Sequence, residues 1–208
     1  MHFNKHSDLS GLHAFLSPSQ YHWLRYSDEK LADRYRSSRA AQRGSEMHDF
    51  ASTAIRLKIK LPGNGTTLNT FVNDVISLFM ESEQSLMYSA NCFGTADAIG
   101  FKRIRGHDRP TLRVFDLKTG ISEAKVEQLV VYSALFCLEY GYKPFEIEYD
   151  LRIYQNDAIE KWDEESVVHI FYGDESDDFD LLPVAVARTM DKIVTSDKKL
   201  DEMRLEEA

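Results

Sequence analysis

The stretch FGTADAIGFKRIRGHDRPTLRVFDLKTG, residues 93–120, constrains the fold more than any other part of the sequence. Two strand-like runs flank RGHDRP, whose Gly, Asp and Pro are typical of a connecting turn, so the stretch predicts two neighbouring strands. Alternation along the second run predicts one face that carries Leu112, Val114, Asp116 and Lys118. A carboxylate and an ammonium therefore end an otherwise apolar face. Their burial is costly unless they are paired or bind a cation.

The first run adds a third charge to this pair. Its alternation predicts a shared face for Thr95, Asp97, Ile99 and Phe101, with Asp97 just after a Gly-Thr bend. Aspartate oxygens are ligands that Mg²⁺ and Mn²⁺ prefer, and the backbone carbonyl of Leu117 is a further candidate ligand. Lys118 is suited to hold an attacking water and to stabilise charge in a transition state. The pattern indicates a metal-dependent phosphodiesterase, although an isolated D-x-K is a weak motif.

Charge is distributed unevenly along the 208 residues, and the net charge of −9 belongs to the C-terminal third. Residues 1–60 carry ten Lys and Arg against six Asp and Glu, whereas residues 146–208 carry seven against nineteen. A basic N-terminal third can still follow a phosphate backbone, because the local field decides the contact. The length fits one domain, 13–208, with an acidic C-terminal helical region, after a flexible tail over residues 1–12.

Cysteine and hydropathy patterns exclude several classes of protein. Two cysteines, Cys92 and Cys137, are too few for a four-cysteine iron-sulfur or zinc site, and we expect both to be core thiols. There is no apolar run near the length of a membrane span and no N-terminal leader pattern, so we expect no membrane partner and a cytoplasmic location. GNG at 63–65 predicts a turn, because no Walker-type phosphate loop follows.

The N-terminal third predicts two helices. The first starts with Ser17 as N-cap and Gln20 in a capping box and runs to about Tyr35; the second spans about 38–61. His48 falls on or beside the core-facing stripe of the second helix, where a hydrogen-bonded core histidine and a ligand are both open interpretations. Gly44, one turn earlier, suits a close approach of a backbone or substrate. Arg36, Arg39 and Arg43 form either a phosphate-binding face or a solvated one.

The rest of the chain predicts alternating helices and strands. We expect helices over about 68–79, 122–140 and 183–205, and strands over 145–155 and 167–172. Glu81 and Glu83 are interpreted as a solvated helix end, with one of them facing the site as the alternative. The acidic run DESDDFD at 174–180 lacks EF-hand spacing and is predicted to be a solvated loop. Gln128 and Tyr132, four residues apart, share a face of the helix over 122–140.

Taken in order, these motifs resemble the RecB-type branch of the PD-(D/E)XK nuclease superfamily, including phage-encoded stand-alone members. The resemblance covers roughly residues 13–155 and rests on G-x3-H in RGSEMH, D in GTAD, D-x-K in VFDLKTG and Q-x3-Y in QLVVY. It also includes HAFLSPSQYHWL at 13–24. The residues that carry it are Gly44, His48, Gly94, Asp97, Asp116, Lys118, Gln128 and Tyr132.

The resemblance implies an α/β (α+β) fold with a restriction-endonuclease-like core, a central mixed sheet flanked by helices. It implies Mg²⁺ or Mn²⁺ held by His48, Asp97 and Asp116, catalysis by Lys118, and support of the site or of DNA by Gln128 and Tyr132. The expected activity is a cluster-free deoxyribonuclease, an exonuclease of phage-type recombination or DNA processing that uses metal-activated water. Its partners would be DNA and a recombination or replication protein, in the bacterial host cytoplasm if the chain is phage-encoded. A non-catalytic DNA- or protein-binding member of the fold is the alternative.

Overall fold

The computed structural model describes residues 14–172 and 179–206. Contacts divide the chain into two compact units, with the boundary between Glu46 and Met47. The predicted tail and most of the acidic run at 174–180 lie outside the described residues. Within the described ranges, no helix combines the length and the apolarity needed to cross a bilayer.

The first unit contains a short 3₁₀ helix, Pro18–Arg25, and the beginning of a long helix α1, Asp28–Arg56. The predicted break after Tyr35 is wrong, because the chain leaves helical geometry earlier, at Tyr26, which is extended. The backbone N–H of Lys30 donates to Ser27 Oγ at 3.3 Å, so Ser27 caps the long helix. No Pro or Gly interrupts the chain between Tyr35 and Ser38, and serines are tolerated within a helix that is otherwise continuous.

The predicted capping box at Ser17 does not form. The Ser17 side chain makes no cap hydrogen bond to the helix backbone, and its hydroxyl lies 3.0 Å from that of Ser19 instead. The 3₁₀ helix is kinked at Gln20, whose ψ of 32° is not helical. A prolyl residue at the first helical position therefore starts a turn here, without the side-chain bonds that would extend it into an α-helix.

A five-stranded mixed sheet forms the centre of the second unit. Its spatial order follows the chain: β1 (Glu81–Ser89), β2 (Cys92–Arg103), β3 (Pro110–Leu117), β4 (Glu148–Gln155) and β5 (Ala158–Trp162). The β3–β4 pair is parallel and the other three pairs are antiparallel. A separate antiparallel pair contains β6 (Val167–His169) and β7 (Phe179–Leu181).

Helices cover both faces of the sheet. The remaining three are α2 (Thr67–Ser77), α3 (Glu127–Tyr140) and α4 (Leu182–Glu206), and α3 lies in the crossover that the parallel β3–β4 pair requires. Helices α3 and α4 pack on one face with Leu112 and Val114, whereas α2 and the C-terminal part of α1 pack on the other with Phe115 and Leu117. The predicted alternation of β3 is therefore confirmed, and both of its faces are buried because the sheet is the middle layer.

Three strands and one helix end differ from the prediction. Strand β1 lies where the sequence predicts a solvated helix end, β5 lies where it predicts no element, and β7 begins within the loop predicted at 174–180. Helix α1 ends at Arg56, short of the predicted Leu61, because Lys58 adopts a left-handed conformation (φ 54°). The Ile59 N–H then donates to the carbonyl of Ala54 at 2.9 Å, which closes the helix as a left-handed C-cap does.

The other boundaries are closer to expectation. Helix α3 starts five residues later than predicted, at Glu127, and ends as expected where Gly141 adopts a left-handed conformation. Phe145 lies in a 3₁₀ turn with its side chain exposed, so β4 begins at Glu148. The helix predicted over 183–205 is confirmed as α4. Cys92 and Cys137 are free thiols; Cys137 lies in the core as expected, whereas Cys92 is only partly buried against it.

Candidate metal centre

The candidate centre lies where β2 separates from β3. Their pairing ends at Ala98 and Phe115, while β3 stays paired with β4 as far as Leu117 and Tyr154. In the opening, the side chain of Asp97 replaces a backbone partner, and its Oδ2 accepts a hydrogen bond from the Leu117 N–H at 2.8 Å. Asp97 is thereby fixed to the strand that carries the second aspartate.

The alternation of side chains along β2 shifts at this opening. Ala96 and Ile99 are three residues apart, yet both pack in the core on the side of α3, whereas Ala98 packs in the opposite core. The predicted shared face of Thr95 and Ile99 is therefore wrong, because a local irregularity moves Thr95 to the other face. Phe101 remains with Ile99 and packs against the ring of Phe136.

Asp116 is the most deeply buried charged residue of the centre, with 3% of its surface exposed. Its Oδ2 forms an ion pair with Lys118 Nζ at 2.9 Å. Among the described residues, no aligned hydrogen bond reaches this buried oxygen, so the Lys118 ammonium is its close polar neighbour. Burial, and then the nearby charge of Asp97, raise the pKa of the Asp116 carboxyl. A second positive charge near this oxygen would therefore be stabilising.

His48 reaches the centre from α1. Its Nδ1 lies 3.4 Å from Asp97 Oδ1, and hydrogen bonding to Asp97 raises the pKa of the imidazole. The sequence left a core histidine and a ligand as open interpretations, and the structure brings His48 to the aspartates. Its side chain is only partly buried, so the imidazole is not a packing residue.

Glu83 joins the centre, which the sequence offers only as the alternative to a solvated helix end. One ligand atom each from His48, Glu83 and Asp97 lies within 4.8 Å of the other two. In the β1–β2 ladder, pairing runs through Ser82 and then through Gln84, and Glu83 between them has a left-handed φ of 52°. Burial, followed by the charge of Asp97, raises the pKa of Glu83. Polar residues dominate the start of β1, so the sequence carried no strand signal to place Glu83 opposite Asp97.

Helix α3 supports the other side of the centre. Lys118 Nζ donates to Gln128 Oε1 at 2.7 Å, and the hydroxyl of Tyr132 donates to the carbonyl of Thr95 at 2.5 Å. A Cβ added to Gly94 would lie only 3.2 Å from the Tyr132 ring, so glycine permits this close approach. Partial burial raises the pKa of Tyr132. Both predicted α3 residues therefore contact the strands that carry the aspartates.

Among the other predicted site residues, Leu117 contacts Asp97 through its backbone N–H, and no described contact joins Gly44 or the three arginines to the candidate centre. The side chain of Leu117 is fully buried, and the role of its carbonyl as a ligand stays a prediction. Gly44 and the three arginines lie on the part of α1 within the first unit. There, Arg36 pairs with Asp33 at 2.6 Å and Arg39 donates to Gln42 at 2.8 Å. The predicted contacts of Arg36, Arg39, Arg43 and Gly44 with substrate also stay predictions.

His48, Glu83 and Asp97 lie close enough to share one cation, whereas Asp116, which pairs with Lys118, lies outside this group of three. Carboxylate oxygens and imidazole nitrogen suit Mg²⁺ or, better, Mn²⁺, and the charge of the buried Asp116 carboxylate would be stabilised by a nearby cation. Comparison with protein-family models, with curated proteins and with solved structures finds no match to this chain.

Proposed function

We propose that this chain is a Mg²⁺- or Mn²⁺-dependent deoxyribonuclease, an exonuclease of phage-type DNA recombination or processing. In this proposal its mixed sheet is a restriction-endonuclease-like core of the PD-(D/E)XK superfamily, in the RecB-type branch. The observation that carries the proposal is the convergence of His48, Asp97, Asp116 and Lys118 from one helix and two strands. Together with Glu83, these residues place three carboxylates beside one lysine and one histidine, and an excess of negative charge is typical of sites that bind a cation.

Each residue has a role that its contacts support. Asp97, Asp116, His48 and Glu83 would hold the cation, with the Leu117 carbonyl as a further ligand. The bound cation would supply positive charge for the phosphate oxygens and lower the pKa of water. Lys118, held between Asp116 and Gln128, would orient the attacking water and stabilise the developing charge on phosphate. Tyr132 would keep β2 in place through its hydrogen bond to Thr95.

DNA is the proposed substrate and main partner. The net excess of Lys and Arg in residues 1–60 supports contacts to phosphates in that part of the chain. Arg36, Arg39 and Arg43 repeat at helical spacing along α1 and are the proposed contacts, with Gly44 as a point of close approach. A recombination or replication protein remains the proposed second partner.

Cleavage of labelled linear and circular DNA with Mn²⁺, Mg²⁺ or EDTA tests the proposal. We expect shortening of linear DNA with Mn²⁺, intact circular DNA, and no cleavage in EDTA. Lys118→Met, which keeps the length of the side chain and removes the charge, should reduce cleavage to a small residual rate and leave Mn²⁺ binding measurable by calorimetry. Lys161→Met on β5 is the matched control, since Lys161 is an exposed lysine outside the centre.

The outcomes separate the two candidate functions. A wild-type protein that cleaves no DNA with either metal overturns the nuclease proposal. If that protein still binds DNA in a salt-dependent manner, the chain is a non-catalytic binding protein. Equal cleavage by wild type and Lys118→Met would remove Lys118 from the mechanism and implicate a contaminating nuclease.

A further inference from the structure

The segment between Lys118 and α3 is held by one buried amide. Gln155, the last residue of β4, has 8% of its surface exposed. Its Nε2 donates to the carbonyls of Gly120 and Ser122, at 2.6 and 2.7 Å. Its Oε1 accepts the N–H of Ala124 at 3.1 Å. A single side chain thus satisfies three backbone groups of a segment that has no helix or strand of its own.

Apolar burial does not hold this segment in place. Residues 119–123 are all exposed, and the side chain of Ile121 is 91% exposed. Only Ala124 and Val126, near the start of α3, pack partly against the core. The amide of Gln155 is therefore the main described constraint on the path of the chain between Lys118 and Ala124.

The two ends of the segment carry residues that contact each other. Lys118 precedes it and Gln128 follows it, and Lys118 Nζ donates to Gln128 Oε1 at 2.7 Å. The backbone N–H of Lys118 donates to the carbonyl of Tyr154, the residue before Gln155, at 2.9 Å. The end of β4 therefore holds Lys118 directly, through a hydrogen bond to the Lys118 backbone. It also holds the segment that leads the chain from Lys118 to Gln128.

We infer that Gln155 is a positioning residue that sets the placement of the Lys118 ammonium through the 119–124 segment. The inference rests on the proposed function, in which Lys118 acts on the scissile phosphate. Glutamine suits the role because its amide both donates and accepts, whereas a glutamate carboxylate would oppose the carbonyl oxygens of Gly120 and Ser122. Methionine has a similar length, but its thioether donates no hydrogen bond and accepts only a weak one.

Steady-state cleavage by Gln155→Met tests the inference. We expect kcat to fall about 10- to 100-fold, because a catalytic group that is out of position accelerates the reaction less, while KM changes little. The Mn²⁺ dissociation constant should stay unchanged, because the proposed ligands lie on α1, β1, β2 and β3. Amide hydrogen exchange over 119–124 should accelerate in the same variant.

Asn73→Leu provides a matched control. Asn73 also holds a loop by its amide: it accepts the N–H of Leu61 at 2.8 Å and donates to the Leu61 carbonyl at 2.9 Å. Both variants should lower the melting temperature, and only Gln155→Met should lower kcat. In the Lys118→Met background, Gln155→Met should cause no further loss of the residual rate, because both changes act through the same ammonium.

The outcomes distinguish this inference from the proposed function. A wild type that does not cleave DNA overturns both. A wild type that cleaves, together with a folded Gln155→Met of undiminished kcat, overturns the inference alone, as do equal losses of kcat in the Asn73 and Gln155 variants. If Gln155→Met does not fold, Gln155→Asn, which is one methylene too short to reach all three groups, takes its place with the same expectation.

Discussion

Two charged clusters on the central sheet differ in how their charges are balanced. In the cluster on the β4 side, Arg152 donates to both carboxylate oxygens of Asp150, at 2.7 and 2.8 Å, and to Asp74 at 3.2 Å. Arg113 also reaches Asp150, at 3.3 Å, and the Tyr154 hydroxyl donates to Asp74 at 2.7 Å. Each carboxylate of this cluster therefore has a cationic partner and further hydrogen bonds.

The candidate metal centre lacks this balance. Glu83, Asp97 and Asp116 face one histidine and one lysine, and one oxygen of Asp116 has no hydrogen-bond partner. Repulsion from Asp97 contributes to raising the pKa of both other carboxyls. In the Arg152 cluster, burial opposes the guanidinium charge, but the bonds to Asp150 outweigh it and raise the pKa of Arg152. The Arg152 cluster therefore pairs its charges within the fold, whereas the candidate metal centre keeps an excess of negative charge that a bound cation would offset.

The largest expected effect is on DNA cleavage, which should depend on the candidate metal centre and not on the Arg152 cluster. Asp116→Asn should lower DNA cleavage by about a hundredfold or more, because the buried ligand loses its negative charge. Asp150→Asn should keep cleavage near the wild-type rate and lower stability instead. Initial rates with Mn²⁺, measured on protein whose folding is verified by circular dichroism, test the pair. Similar losses of activity in both variants would contradict the division.

Protein stability should depend more on the Arg152 cluster than on the candidate metal centre. Arg152→Leu should lower the free energy of unfolding by roughly 3 kcal/mol, because it leaves Asp150 and Asp74 in a partly buried place without their shared cation. Urea unfolding in EDTA measures the difference. A loss below about 1 kcal/mol, the range of an exposed ion pair, would show that the Arg152 cluster is not stabilising.

The pH dependence of stability should reveal the imbalance of the metal centre. The pKa of Asp116 is higher in the folded protein than in the unfolded chain, so ionisation of this carboxyl opposes folding. The resulting loss of stability is absent below the pKa of the unfolded chain and is fully present above the pKa of the folded protein. In EDTA, Asp116→Asn should therefore be more stable than wild type at pH 8. The advantage should disappear near pH 4. Urea unfolding at both pH values checks this, and an advantage that grows on acidification would refute it.

The smallest effect concerns Glu83. Its carboxylate is more exposed than those of the two aspartates, and an exposed charge contributes about 0.2–1 kcal/mol, so Glu83→Gln should weaken Mn²⁺ binding about 2- to 5-fold. Calorimetry of Mn²⁺ binding measures this change. Glu81→Gln, two residues earlier on the same strand, is the control and should bind Mn²⁺ as wild type does. Identical affinities for all three proteins would remove Glu83 from the metal centre.

Local pattern was sufficient to predict much of this molecule. The alternation of β3, the turn before it, the connection by α3 and the final helix α4 follow from periodicity and from Gly and Pro positions. The proximity of Asp116 and Lys118 follows from their spacing on one strand face, and that of Gln128 and Tyr132 from helical spacing. These features depend on neighbours in sequence, so the sequence by itself determined them.

Tertiary structure decided the features that depend on distant residues. Glu83 reaches the candidate metal centre because β1 pairs with β2 and Glu83 lies opposite Asp97 with a left-handed φ, and no local pattern in a polar strand predicts that pairing. The shift of alternation at Asp97 arises where β2 parts from β3, and Gln155 holds the segment after Lys118 from 31 residues away in sequence. Spacing along a strand or helix brings side chains to one face. Only the packing of the sheet decides which backbone groups remain unpaired there and which distant side chains satisfy them.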